Sequence, residues 1–334
     1  MNNSNTTILI STFGSSRLGT GHLFRSITLG KFIKKFMRVV WHINDSPRAK
    51  RIAKQSNIRF FASKNINSFL KNIRPDLVIY DKPFLLGAVP RCIKPKGNKL
   101  LGLDYFYYND ESVDCMINLI NHRLKMIGNR SEKVLSGLKY AIIRDEIIKW
   151  RRKHKIRKSV INVLITFGGA DPKNNTLKAL QLIEKAGIVG RRIKIVLGPL
   201  FQNKGKIKSF AKRHLGNSVR VLDYTKRIGE VMVKSDLIFC GGGTTLLEVL
   251  CIGIPCIVIP QTQDEMRFVS ETKLKTSVCL VSQDLSIFKM TNMVKRMFSN
   301  IILRKKCIAK GKKLIDGNGK KRIFKKIVDL LGEK

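Results

Sequence analysis

The chain predicts an α/β protein built twice over, with one parallel sheet in each half. Three observations carry this. Short apolar runs alternate with longer segments of helical spacing along the 334 residues. Such alternation implies parallel strands joined by right-handed crossovers. The chain also echoes itself: Leu9-Ile-Ser-Thr-Phe-Gly14 and Leu164-Ile-Thr-Phe-Gly168 each run from an apolar strand into a glycine-bearing loop. Finally, the charge-dense segment DEIIKWRRKHKIRK, residues 145–158, lies between the two series.

The first series has strand patterns at 7–11, 39–43, 59–62, 77–80, 99–103 and 115–119. The second has them at 162–166, 193–197, 219–222, 237–240, 256–259 and 278–281. The segments between carry apolar residues at helical spacing, such as Leu23, Phe24, Ile27 and Phe36. The basic tail, 302–334, is amphipathic through Ile308, Leu314, Ile323, Ile327 and Leu330, and should form helices that pack back on the first half. The expected domains are therefore 1–155 and 156–334, both Rossmann-like. Two open sheets facing each other would leave a ligand cleft at the carboxyl ends of their strands.

Lys and Arg number 65 against 23 acidic residues, a net charge of +42. The partner is then anionic: a phosphorylated small molecule, an acidic bilayer face or a nucleic acid. Composition bias with no ligand behind it is the competing reading. No RNA-binding motif or aromatic stacking pattern occurs, so no specific nucleic acid is expected. The seven cysteines form no CxxC pair and lie mostly in apolar runs, which fits free thiols in a reducing cytosol. No signal peptide and no membrane-spanning run is expected. The reading is a cytoplasmic monomer, peripheral at most to the inner face of a membrane.

Residues 241–260, GGGTTLLEVLCIGIPCIVIP, carry the most chemistry. An apolar run ends in three glycines, and Thr244 and Thr245 then open a helix. Amide N–H groups at a glycine-rich helix start form a site for an anion such as a phosphate. Gly242, Gly243, Thr244 and Thr245 are candidates for a nucleotide diphosphate, with Glu248, one turn on, for the ribose diol. Thr245-x-x-Glu248 also matches a capping box that merely closes the helix start.

Near the N-terminus, Gly19-Thr-Gly21-His22 forms a second glycine loop. Phe24 stands where a dinucleotide fingerprint needs its third glycine, so that pattern is only weakly matched. A helix start disfavours the imidazolium, and a neutral His22 facing a cleft can serve as a general base. A helix cap is the plain alternative. Arg25, one turn later, is a candidate partner for a phosphate or carboxylate, or an ordinary surface arginine. In the second half, Gly168 begins a Gly-Gly turn whose amides can add to a diphosphate site, with Asp171 or Asn174 opening the next helix. Gln261 and Asp264 follow Pro260 at a strand's carboxyl end, within reach of a sugar, unless Asp264 only caps the helix after it. No histidine pair has metal-ligand spacing, and no GxSxG, Walker lysine or HExxH occurs. No metal and no cofactor are expected.

Taken together, GTGHLFRSITL, LKYAIIRDE, VLITFGGADPKNNTLKAL and SDLIFCGGGTTLLEVLCIGIPCIVIPQ resemble the spore-coat polysaccharide/pseudaminic-acid family, over most of residues 8–275. Its best-known members are nucleotide-sugar hydrolases that remove UDP from a diacetamido-trideoxyhexose. That family is similar to the family 28 glycosyltransferases, which implies the GT-B architecture of two Rossmann-like domains. By this resemblance His22 matches the histidine that activates water, and Gly19 and Gly21 match its loop. Gly242, Gly243 and Thr244 would hold the diphosphate and Glu248 the ribose. Two family stretches differ here: a DAS-like run reads Phe13-Gly14-Ser15-Ser16, and a DD pair reads Leu103-Asp104-Tyr105. The resemblance implies a UDP-sugar hydrolase; the alternative is a family 28 type glycosyltransferase with a membrane-associated acceptor.

Overall fold

A computed structural model of the chain describes residues 6–14, 20–63, 66, 70, 72–81, 97–104, 112–119, 133–199, 201–282 and 284–332. Two units emerge. One comprises Met1–Ile143 with Gly317–Lys334, the other Arg144–Asp316.

The first unit holds a parallel sheet of seven strands: β1 (Thr7–Thr12), β2 (Arg38–Ile43), β3 (Phe60–Ala62), β4 (Leu77–Asp81), β5 (Lys99–Leu103), β6 (Cys115–Asn118) and β7 (Val134–Ser136). Their order is β3-β2-β1-β4-β5-β6-β7, so the direction of winding reverses between β1 and β4. Both faces are covered, as a parallel sheet requires. Ile8 and Ile10 pack into one apolar layer with Leu23 and Trp41, while Leu9, between them, joins Val78 and Tyr80 on the other. The strand β7 was not foreseen. It has three half-buried residues at the sheet edge, too few to show a period.

The second unit repeats the plan with β8 (Asn162–Thr166), β9 (Arg192–Val196), β10 (Val219–Leu222), β11 (Leu237–Cys240), β12 (Cys256–Val258) and β13 (Cys279–Leu280). Their order is β10-β9-β8-β11-β12-β13, all parallel, with the reversal between β8 and β11. The helix Thr244–Ile252 is buried from Leu246 to Ile252, which explains its nearly unbroken apolar sequence.

The division falls after Ile143, not near residue 155. The charged segment does not hang between sheets, because its side chains bond within the second unit. Glu146 accepts the Gly229 amide at 3.1 Å, and the Arg151 guanidinium donates to the carbonyls of Cys251 (3.0 Å) and Ile315 (2.7 Å). At the other end, the helix Gly319–Gly332 groups with the first unit. Ile323, Ile327 and Leu330, one stripe of that helix, lie in the same apolar layer as Ile8 and Trp41. The helices Ile287–Ser299 and Ile301–Leu314 stay with the second unit.

Among the described residues Cys115, Cys240, Cys251, Cys256, Cys279 and Cys307 are free thiols. No helix among them is long and apolar enough to cross a membrane.

Candidate active site

The helix Gly21–Ile33 follows β1, and Asp81 ends β4, its neighbour across the reversal in the first sheet. Ligands of open α/β sheets bind at such points. His22, Arg25 and Ser26 sit three and four residues apart, hence on one face of the helix, and all three reach Asp81. The contacts are His22 Nδ1 to Asp81 Oδ1 at 2.8 Å, Arg25 Nε to Asp81 Oδ2 at 2.9 Å and Ser26 Oγ to Asp81 Oδ2 at 2.5 Å. Arg25 also pairs with Asp104, the residue after β5.

The charges in this cluster follow from its partners. Burial alone would raise the Asp81 carboxyl, but Arg25 and His22 outweigh it and hold it far below the usual carboxylate range. Burial likewise opposes charge on Arg25, and Asp104 and Asp81 overcome it, so the guanidinium stays protonated. An ionised Asp81 can only accept, so Nδ1 of His22 must carry the proton it donates. This assigns the tautomer from the hydrogen bonds. The Arg25 Nη2 atom, 2.9 Å from the same Nδ1, has only donors and in this tautomer touches without bonding. In the neutral form of this tautomer the lone pair sits on Nε2, on a side chain 24% exposed. A carboxylate that orients an imidazole in this way makes it a competent base.

Sequence reasoning found His22 and Arg25 but missed Asp81. Its signal was the aspartate closing the strand pattern LVIYD, visible only once β4 is known to lie beside β1. Gly21 begins the helix; Gly19 lies outside the described residues.

In the second unit the triglycine bend follows β11 beside its reversal with β8. Gly243 is the helix cap and makes no side-chain cap bond, so the capping box of Thr245 and Glu248 does not form. The Glu248 carboxylate instead takes a two-pronged bond from Arg144, Nε to Oε1 at 2.6 Å and Nη2 to Oε2 at 2.7 Å. Burial disfavours charge on Arg144, but Glu248 more than offsets it and raises its basicity. Each oxygen of Glu248 keeps a second acceptor site for a hydroxyl.

Gly242 needs correction as an anion donor. Its amide is taken by Glu265 Oε2 at 2.8 Å, which also accepts the Gln261 amide at 2.7 Å. A Cβ on Gly242 would lie 3.0 Å from the Glu265 backbone oxygen, and one on Gly243 3.1 Å from its carboxylate. The glycines therefore make room for this side chain, which explains a run longer than a cap requires. Burial pushes the Glu265 carboxyl up, and the two amides only partly reverse it. The amides of Thr244 and Thr245 have no hydrogen-bond partner among the described residues, as orphan donors at a helix start do.

Gly168 adopts φ +74°, where a side chain is disfavoured, and faces the Thr245 hydroxyl. Asp171 binds the Asn175 and Thr176 amides at 2.8 Å each, so it supports the next helix although Asn174 stands at the cap. Gln261 donates through Nε2 to the Phe167 carbonyl at 2.9 Å, tying β12 to β8. Thr262, not Asp264, caps the helix Gln263–Glu271. Asp264 lies in its first turn, exposed and with no bonded partner among the described residues. Among those residues no group of three or more His, Cys, Asp and Glu could hold a metal ion.

Residues 162–323 match the glycosyltransferase family 28 C-terminal domain. An uncharacterized protein of Methanocaldococcus jannaschii is 28% identical over 290 residues, which cover 80% of this chain and 60% of that protein. The chain thus spans less than two thirds of that relative's length. The spore coat polysaccharide biosynthesis protein SpsG of Bacillus subtilis is 21% identical, with 95% of this chain and 96% of that protein covered. Among solved structures, MurG of Acinetobacter baumannii superposes with a TM-score of 0.68 at 14% identity, covering 98% of this chain and 99% of that one. The chain therefore has the GT-B type of fold, and its second half is similar to the C-terminal domain of glycosyltransferase family 28.

Proposed function

We propose that the chain is a UDP-sugar hydrolase of surface-polysaccharide biosynthesis. The observation that carries the reading is the 2.8 Å contact between His22 Nδ1 and the buried Asp81 carboxylate. It supports a base whose free Nε2 takes a proton from water. The water oxygen then bonds to the anomeric carbon, the bond from that carbon to the phosphate oxygen breaks, and UDP leaves with the electron pair. Amides at the start of the helix Thr244–Ile252 and its dipole would stabilise the diphosphate as it departs. Gly168 and Thr245 would line the same anion site, and Glu248 would take the ribose diol. Asp264, with Gln261 behind it, is proposed toward the sugar. The likeness to the spore coat protein over almost both lengths favours this substrate class.

The match to the family 28 C-terminal domain favours a second reading, in which His22 deprotonates a sugar or lipid-linked acceptor instead of water. Incubation with UDP-sugars separates the two. UDP released without an acceptor, and lost in His22→Ala, supports hydrolysis. Release that requires an acceptor overturns hydrolysis for transfer. Absence of UDP binding in calorimetry overturns both.

A further inference from the structure

The helix Asn175–Lys185 packs against the helix Ile287–Ser299 through Ala179, Leu182 and Ile183 on one side and Met290, Val294 and Met297 on the other. Outside this seam lies a pocket of about 340 Å³. It is lined among others by Lys173, Leu177, Lys178, Gln181, Lys185 and Ile287. No acidic residue lines it among the described residues. The neighbouring acids are engaged elsewhere: Asp171 holds two amides, and Glu184 pairs with His214. Among the described residues none of the three lysines has an ion pair or side-chain hydrogen bond partner. Burial, and then the like charge of Lys173, lower the Lys178 ammonium, as expected of cations crowded without a counter-ion.

Beside this cationic pocket the helix Ile287–Ser299 presents apolar surface at its first turn. Ile287 is 45% and Phe288 71% exposed, and Lys289 follows them. Large apolar side chains left this open, rimmed by lysines, suit a boundary between water and hydrocarbon. The cations are lysines, point charges that match a diffuse anionic surface. Arginine forks, which favour nucleic-acid phosphates, are missing from the lining.

We infer that the face formed by Lys173, Lys178, Lys185, Ile287 and Phe288 docks the protein on an anionic phospholipid bilayer, with the lysines among the headgroups and Phe288 below them. This assigns part of the large positive charge to a defined surface. It does not depend on which reaction the other site performs.

The test is co-sedimentation of the full chain with vesicles of phosphatidylcholine, alone or with about one third phosphatidylglycerol. Binding is expected only to the anionic vesicles, and it should fade with added salt. Lys178→Gln with Lys185→Gln should weaken it by roughly 25-fold, about fivefold per lysine. Phe288→Ser should weaken it by about tenfold through lost apolar burial. Thermal unfolding unchanged from the parent protein shows that these substitutions leave the fold intact. Failure to sediment overturns the inference, as does sedimentation of the variants equal to that of the parent. Capture on an RNA oligonucleotide without vesicle binding at the same salt overturns it in favour of a nucleic acid.

Discussion

Two helices begin at the carboxyl ends of the two sheets, each beside the reversal in strand order, yet they offer different chemistry. The helix Gly21–Ile33 starts without a side-chain cap and crowds titratable groups on a buried carboxylate. The helix Thr244–Ile252 also starts without a side-chain cap, but its first turn presents backbone, and its one carboxylate is tied to Arg144. Proton transfer needs a side chain whose proton location is set by a partner. Anion binding needs donors that no side chain covers. On the proposed reading the same structural position serves a different task in each unit, and this separates what a substitution at one should change from what it should change at the other.

The comparison breaks most sharply at His22. In His22→Ala, UDP release should fall by about 100- to 10,000-fold, the usual span for a lost general base, with UDP affinity retained in calorimetry. Equal losses of turnover and affinity would erase the division of labour. Asp81→Asn comes next. The amide removes the charge that Arg25 and His22 share and leaves Arg25 paired with Asp104 alone, and removing one member of a buried pair costs about 3–5 kcal/mol, readable in chemical denaturation. Turnover should fall as well, because Asn can present its NH₂ to Nδ1 and favour the other tautomer.

Glu248→Gln should weaken UDP binding by about tenfold, the loss expected for a charge-assisted hydrogen bond, while turnover at saturating substrate holds. A drop in turnover alone would contradict its assignment to the ribose.

The mildest contrast is in pH. Asp81 has a folded value depressed below its ordinary 3.8, so its contribution to stability is present above that pH and fades as the pH falls below it. Glu265 is shifted the other way from 4.5, so its contribution is present below that pH and is lost as the pH rises through the elevated folded value. Melting temperatures across this range should show Asp81→Asn flattening the acid side and Glu265→Gln the side above 4.5. Identical pH profiles for the two variants would refute the opposed shifts.

Much of the frame was legible before any coordinates. The expected strands overlap the observed ones in both sheets, because a buried parallel strand writes its own short apolar run into the sequence. The glycine loops and His22 were visible for the same local reason. The triglycine run was legible as unusual, but its explanation was not. Sequence spacing offered an anion site, with a Thr245–Glu248 capping box as its alternative, and neither foresaw that Glu265, 23 residues beyond Gly242, occupies the bend. The boundary near 155 failed similarly: charge density marked the connecting segment, but its ion pairs and carbonyl contacts assign it to the second unit.

What the sequence by itself determined was the alternation of strand and helix, the duplicated plan and the positions of the glycine turns, all set by period and backbone freedom over a few residues. Only the tertiary structure decided which carboxylate serves which donor: Asp81 for His22 across 59 residues, and Glu248 for Arg144 across 104. Those pairings depend on which strands become neighbours, and strand order is fixed by packing across the whole sheet, a quantity that no local pattern encodes.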